Sequence, residues 1–439
     1  MLGQEPKTQG EWNDPDVYKT YSTATKLQRN WAANGASGAH SVRPEMPVSA
    51  GWMQGWGGGN TAMEALVASL DLNFTDRHYY GNPANMMQQV KDVDLRVLGK
   101  PVLVGECGAK NHPTFKSSDP WGNGDDDDSY DYRFRYLVSH AFGMGCTALL
   151  SWHWRDPMEG IFPCGLVHST WVPRPTAALY KRMAETFGKL ELVDNPPDTV
   201  LLLGDSLRHT ALRQQVINAE HRASQTLMWL GANFSVLPDS ELGRLPESVK
   251  VLIYPVPYVA SDEVFDALQV FVGRGGTLWL SGDISIEKPG SVKDGRLMEL
   301  CGVKTNHAQP LEVAKITSLS AMTQRKEMAG TYCYIHKDGH VNYCAAPLEL
   351  DGKNDQTLKY FYGKVLAFAG ASMTRRSEDS DKLETFRVPG KNTTGWVFWN
   401  GGAEDVTVTR DGHSMTVRPK RIGYLQIADD GVLQVREEL

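Results

Sequence analysis

The feature that most constrains the fold is a strict alternation of two hydrophobic periods over the first 190 or so residues. Helical spacing runs from Val17 to Ala33 (Tyr18, Tyr21, Leu27, Trp31), from Thr61 to Ser69, from Ala84 to Leu98, from Tyr130 to Gly143 and from Pro175 to Leu190. Short β-rich runs lie between them: Pro47 to Trp52, Leu70 to His78, Pro101 to Glu106 and Thr147 to Trp154. Such alternation implies parallel strands joined by right-handed crossovers. Four units fit either a doubly wound sheet or half of an eight-stranded barrel.

Side chains at the strand ends decide between the two. Trp52, His78, Glu106 and Trp152 all fall at or near the C-terminal ends of the expected strands, and in a barrel that is the catalytic face. A dinucleotide-binding sheet would place a glycine-rich phosphate loop after its first strand, and none is present. The first expectation is a partial TIM (β/α)8 barrel, about strands 5–8, over residues 1–195.

The pattern changes at Pro196-Pro197. Thr199 to Gly204, Phe234 to Leu237, Val249 to Tyr254 and Thr277 to Ser281 are apolar strands, with helices from Ala211 to Leu230 and Ser261 to Arg274. Residues 196–370 therefore predict a flavodoxin-like, doubly wound α/β domain. From 371 to 439 polar and apolar residues alternate between Gly, Asn and Asp turns, which predicts a small antiparallel β-sandwich. A chain of 439 residues is long enough for this many cores.

Charge narrows the partners. A net charge of -7 without clustered Lys and Arg argues against nucleic acid. No apolar run reaches the ~20 residues of a membrane span. No basic segment followed by an apolar stretch opens the chain, which favours the cytoplasm. The six cysteines are scattered and predict buried thiols rather than a metal cluster or disulfide framework. The acidic run Asp125 to Asp128 predicts a solvated loop over a calcium site. No zinc, Ser-His-Asp or phosphate-loop motif is present, so neither metal nor cofactor is expected. Twelve Trp and sixteen Tyr suit a protein that stacks rings on sugar faces.

Within KPVLVGECGAK an apolar strand delivers Glu106 to its tip through Gly105. In DRHYYG the spacing of His78 and Tyr80 places both on one face of an extended segment, where the tyrosine hydroxyl could donate to a carboxylate. Trp152 and Trp154 share a face of the next strand in the same way. Trp52 and Trp56, beside Gly57 to Gly59, stand between a sugar subsite and plain packing. A second carboxyl group is available at Glu5 in MLGQEP. Each residue also has an ordinary structural role open to it, as a surface, capping or core side chain.

These residues together resemble clan A glycoside hydrolases, the superfamily that contains families 5 and 42. In that clan the acid/base Glu follows an Asn at the end of strand four, strand six ends in His-x-Tyr, the nucleophile Glu ends strand seven, and a Trp ends strand eight. The resemblance implies Glu106 as nucleophile, Glu5 as acid/base, and Gln4, Trp52, His78, Tyr80, Trp152 and Trp154 as substrate-binding residues. Gln4 departs from the pattern by replacing the Asn. The stretch VKVLIYPVPYVASDEVFDALQVFVGRGGTLWLSGD resembles the glutamine-amidotransferase-like domain that follows the barrel in family 42. Pro255-Val256-Pro257 stands where an amidotransferase would carry its Cys, so the resemblance implies a trimerisation role and a homo-oligomer.

The expected activity is retaining hydrolysis of β-linked O-glycosides, on an oligo- or polysaccharide or a simple glycoside. The alternative is a non-catalytic carbohydrate-binding or assembly protein derived from a glycosidase. If strand four ends near Glu5, the first half of the barrel lies outside the chain. A truncated reading frame is favoured over a second chain that supplies the N-terminal half barrel and over an inactive fragment.

Overall fold

In the computed structural model, residues 15–52, 66–79, 90–107, 127–157, 165–204, 212–288, 291–306, 311–352 and 355–439 are described. The first sheet has four parallel strands in chain order: β1 (Gly51–Trp52), β2 (Thr75–Tyr79), β3 (Val102–Cys107) and β4 (Ala148–Ser151). Val102, Val104 and Cys107 point into a core with Phe134, Leu137 and Ala141 of the helix Asp127–Gly143 and with Met183 and Phe187 of the helix Pro175–Phe187.

The element types follow the hydrophobic periods, but several boundaries differ. The strand expected from Pro47 shrinks to Gly51–Trp52, because the side-chain oxygen of Asn73 accepts the Val48 N–H at 2.8 Å and Val48 returns its carbonyl to the Asn73 N–H. The strand expected from Leu70 starts only at Thr75, after a turn in which Leu70 and Leu72 are buried. The helix expected to reach Leu98 gives way to a 3-10 turn, Arg96–Leu98. The first helix runs to Val42, past Ala33. Asp127 and Asp128 open a helix rather than a loop.

The second sheet begins with β5 (Thr199–Leu203), β6 (Phe234–Pro238), β7 (Val251–Pro255) and β8 (Thr277–Ser281), every residue of which is buried. Burial on both faces is why these strands are unbroken apolar runs instead of alternating ones. Two short hairpins follow, β9 (Ile286–Lys288) with β10 (Ser291–Val292) and β11 (Val303–Thr305) with β12 (Ile316–Leu319). Then β13 (Gln324–Met328), β14 (Thr331–His336) and β15 (Val341–Cys344) complete a sheet of order β13-β14-β15-β8-β7-β5-β6. Its parallel part runs β6-β5-β7-β8-β15, the 2-1-3-4-5 order of a doubly wound sheet. The helices Arg213–Trp229, Asp262–Gly273 and Asp355–Phe368 pack on it.

The third sheet, order β16-β17-β20-β21, is antiparallel: β16 (Leu383–Gly390), β17 (Thr393–Asn400), β20 (Ile422–Ala428) and β21 (Leu433–Glu438). The hairpin of β18 (Val406–Arg410) and β19 (His413–Val417) covers one face, where Trp396, Phe398 and Leu425 meet Val408 and Met415. The opposite face carries Val397, Trp399 and Tyr424 into the core of the first sheet's helices. Trp399 lies edge-on to Tyr136, with ring centroids 5.3 Å apart.

One carboxylate anchors the second sheet to its helix layer. Glu349, almost fully buried, accepts hydrogen bonds from Trp279 Nε1 at 2.9 Å, the Tyr362 hydroxyl at 2.7 Å and Ser281 Oγ at 2.5 Å. Burial, and then the adjacent Glu349 charge, push the Tyr362 phenol well above its ordinary range, so it stays a donor. Glu349→Ala would strand three buried donors and should cost about 3 kcal/mol or more in urea unfolding. A loss under ~1 kcal/mol would show that the donors find other partners.

Candidate active site

The candidate site is built on the tips of β2 and β3. His78 pairs with Glu106 across the two strands. A regular strand would put Glu106 on the same face as Val102 and Val104, toward the helices. It does not, because β3 holds one residue more than each neighbour. Between Asp76–Leu103 and His78–Glu106 the register advances two residues on β2 and three on β3. Against β4 it advances from Val104–Leu149 to Cys107–Ser151, again three against two. This bulge re-aims the side chain. Val102, Val104 and Cys107 stay buried on the helix side, and Glu106 turns to the other face with its side chain one-third exposed.

On that face His78 stands between two carboxylates. Its Nδ1 lies 3.5 Å from Glu106 Oε2 and its Nε2 3.8 Å from Asp76 Oδ2, with His78 and Asp76 mostly shielded from solvent. Two glycines make room. A Cβ on Gly105 would sit 2.1 Å from Asp76 Oδ1, and one on Gly51 would sit 2.9 Å from His78 Nε2. Burial raises the Asp76 pKa. The nearby His78 and the Gly105 N–H pull it down, the Glu106 charge pushes it up, and the net direction is upward.

Asp76 and Gly51 have no place in the sequence reading, and Gly105 enters it only as the link to Glu106. The signal for Asp76 was present: Asp76 and His78 have the same two-residue spacing used to pair His78 with Tyr80.

β4 ends at Ser151, so Trp152 and Trp154 do not share a strand face as expected. Trp152 still sits at the tip, its N–H donating to the Cys107 carbonyl at 2.7 Å, and its ring stacks on His153 at 4.3 Å between centroids. Trp154 is 64% exposed and lies in a segment that pairs back on Leu166 and Val167. The strand stops because Asp156 ties that segment down. Asp156 accepts from the Gly165 N–H at 2.7 Å and from Arg174 Nη2 at 2.5 Å, while Arg174 Nε donates to the Gly165 carbonyl. Trp52 closes β1. Its side chain and Gln4, Glu5, Trp56 and Tyr80 lie outside the described residues.

The arrangement of the sheets has counterparts among solved structures. The chain is similar in fold to GH42 beta-galactosidases. It superposes on a catalytic mutant of a GH42 beta-galactosidase from G. stearothermophilus with TM-score 0.66 and 13% identity, over 99% of this chain and 69% of that one. The beta-galactosidase of Halorubrum lacusprofundi gives TM-score 0.66 at 15% identity, over 93% and 67%. That of Rahnella sp. R3 gives 0.64 at 12%, over 99% and 69%. The chain thus spans about two thirds of these proteins' length. No family model matches the sequence, and no curated protein matches it.

Two outcomes test the site's construction. Gly105→Ala forces a methyl group into Asp76 and should cost about 2 kcal/mol of stability, whereas Gly99→Ala, whose added Cβ would meet nothing within 4 Å but sits at φ 70°, reports backbone strain alone. The second outcome is a pH slope. With its pKa raised in the folded state, Asp76 binds more protons folded than unfolded just above its ordinary value of 3.8. Its contribution to stability therefore falls as pH rises through a window that opens at about 4. Asp76→Asn should remove that slope in melting temperatures recorded across the window, and parallel curves for both proteins would rule it out.

Proposed function

We propose that the chain is a retaining glycoside hydrolase acting on β-linked sugars, with Glu106 as the nucleophile. The observation that carries this reading is the bulge in β3, which brings a carboxylate out of the helix-packed face and sets it beside His78 at the C-terminal end of a parallel sheet. Glu106 would attack the anomeric carbon to form a glycosyl-enzyme, which water then hydrolyses. His78 orients the attacking oxygen from 3.5 Å. Trp152 offers an aromatic face at the adjoining tip, and Trp52, Trp154 and Tyr80 complete the sugar subsites. Glu5, with Gln4 beside it, serves as the acid that protonates the leaving oxygen. The named activity of the structural neighbours, beta-galactosidase, makes a β-galactoside the first substrate to try.

The four-stranded sheet is read as half of a (β/α)8 barrel spanning residues 1–195. What supports this is its second face. Leu150 on that face is 51% exposed, and among the described residues no layer covers it, although parallel sheets are normally buried on both sides. The doubly wound unit (196–370) and the antiparallel unit (371–439) then follow as separate domains, the former serving self-association.

A 2,4-dinitrophenyl 2-deoxy-2-fluoro-β-galactoside tests the nucleophile directly, because its leaving group needs no acid. Mass spectrometry should find one added sugar on the peptide that contains Glu106, and none in Glu106→Ala. Label on a different carboxylate, or an unchanged rate in the variant, would falsify the assignment. Where turnover is measurable, Glu106→Ala should lower it by ~1,000-fold or more, and added azide should restore part of it with inverted product.

A further inference from the structure

At the other end of β3 from Glu106 a cavity of about 630 Å³ opens where the three sheets meet. Pro101 and Thr147, just before β3 and β4, line it, together with Phe234 at the start of β6 and Phe386 and Val388 of β16. Its size falls in the ~300–1,000 Å³ range of small-molecule sites.

The charges around it are one-sided. Lys91, Arg96, Lys100 and Arg387 line the cavity, and Asp194 is the one acid among its described lining residues. Two of the cations are deep. Lys91 Nζ donates to Asp94 Oδ2 at 2.7 Å and to the Phe234 carbonyl at 2.7 Å, and Arg96 Nη2 donates to the same two groups at 3.0 and 3.2 Å. Asp94 is buried and balances one positive charge, not two. A cation held in a low-dielectric cleft attracts an anion far more strongly than one on open surface. Gly145 keeps the approach open, since a Cβ there would lie 2.6 Å from Arg96 Nη1. The remaining wall is mixed, with Phe142, Met144 and Met228 beside the polar Asn195, Asn233 and Thr374.

We propose that this cavity binds a small organic anion of sugar-phosphate size, its oxyanion held by Lys91 and Arg96 and its body against Met144 and Met228, while Arg387 and Lys100, whose ammonium donates to the Leu72 carbonyl, add positive charge at the rim. The site is remote from Glu106 and does not rest on the glycosidase reading. It would let a phosphorylated metabolite stiffen the junction of the three sheets.

The test is calorimetric titration of the whole chain with glucose 6-phosphate, with inorganic phosphate and glucose in parallel. Glucose 6-phosphate should bind saturably, be displaced by inorganic phosphate and weaken with added salt. Glucose alone should not bind. Arg387→Ala combined with Lys100→Ala leaves the Lys91–Asp94–Arg96 cluster in place and should weaken binding about tenfold. Lys91→Met should weaken it further, with circular dichroism reporting whether that variant folds. Absence of saturable binding, binding unchanged in the double variant, or equal binding of glucose would each overturn the proposal.

Discussion

β3 carries one residue more than β2 and β4 between Val104 and Cys107, and the chemistry at the top of the first sheet depends on that surplus. Without it, strict alternation would send Glu106 into the helix layer beside Val104, where Phe134 and Leu137 leave no place for a charge. With it, Glu106 faces His78, and the strand recovers its alternation at Cys107. The bulge is held by what surrounds it. Any side chain larger than hydrogen at Gly105 would collide with Asp76, whose carboxylate stands where the added Cβ would lie. Glycine, buried acid, histidine and surface carboxylate therefore form one dependent unit.

The antiparallel sheet does for the molecule what a single hydrophobic core cannot. β17 alternates Trp396 and Phe398 toward the β18–β19 hairpin with Val397 and Trp399 toward the helices of the first sheet. Both faces are buried, so the four central positions from Trp396 to Trp399 are all apolar. A ring such as Trp399 buries on the order of 200 Å², which makes this shared face a substantial tie between the C-terminal strands and the elements that carry Glu106. Packing so distributed also explains why the cavity at the junction can hold buried cations: its walls come from three rigid sheets and do not collapse onto it.

Two of the buried charges are paired or multiply hydrogen-bonded, which offsets the cost of taking them out of water. Glu349 has three donors, and Arg410 meets Asp379 at 2.6 Å with both side chains almost fully shielded. The thiols obey the same logic from the other side. Burial raises Cys146 and Cys333 to about 12, which keeps both thiols neutral.

The sequence by itself determined the types and order of the elements as far as β8 and the alternating strands after 371, but not β9 to β15 between them. Period-3.6 and period-2 runs are set by which side chains must leave water, so the parallel strands, the doubly wound sheet and the alternating C-terminal strands were all legible. It also placed Glu106, His78 and Trp152 at strand ends, because a strand's end is marked by where its apolar run stops. Only the tertiary structure decided which way those side chains point. The bulge depends on pairing with two neighbours at once, and no local pattern in VLVGEC encodes a register difference between strands separated by tens of residues. The same holds for the end of β4 at Ser151, which is fixed by Asp156 and Arg174 rather than by the apolar run through Trp154, and for the cationic cavity, whose walls are drawn from segments up to about three hundred residues apart. Periodicity is a property of one segment, whereas facing, register and enclosure are properties of several segments packed together.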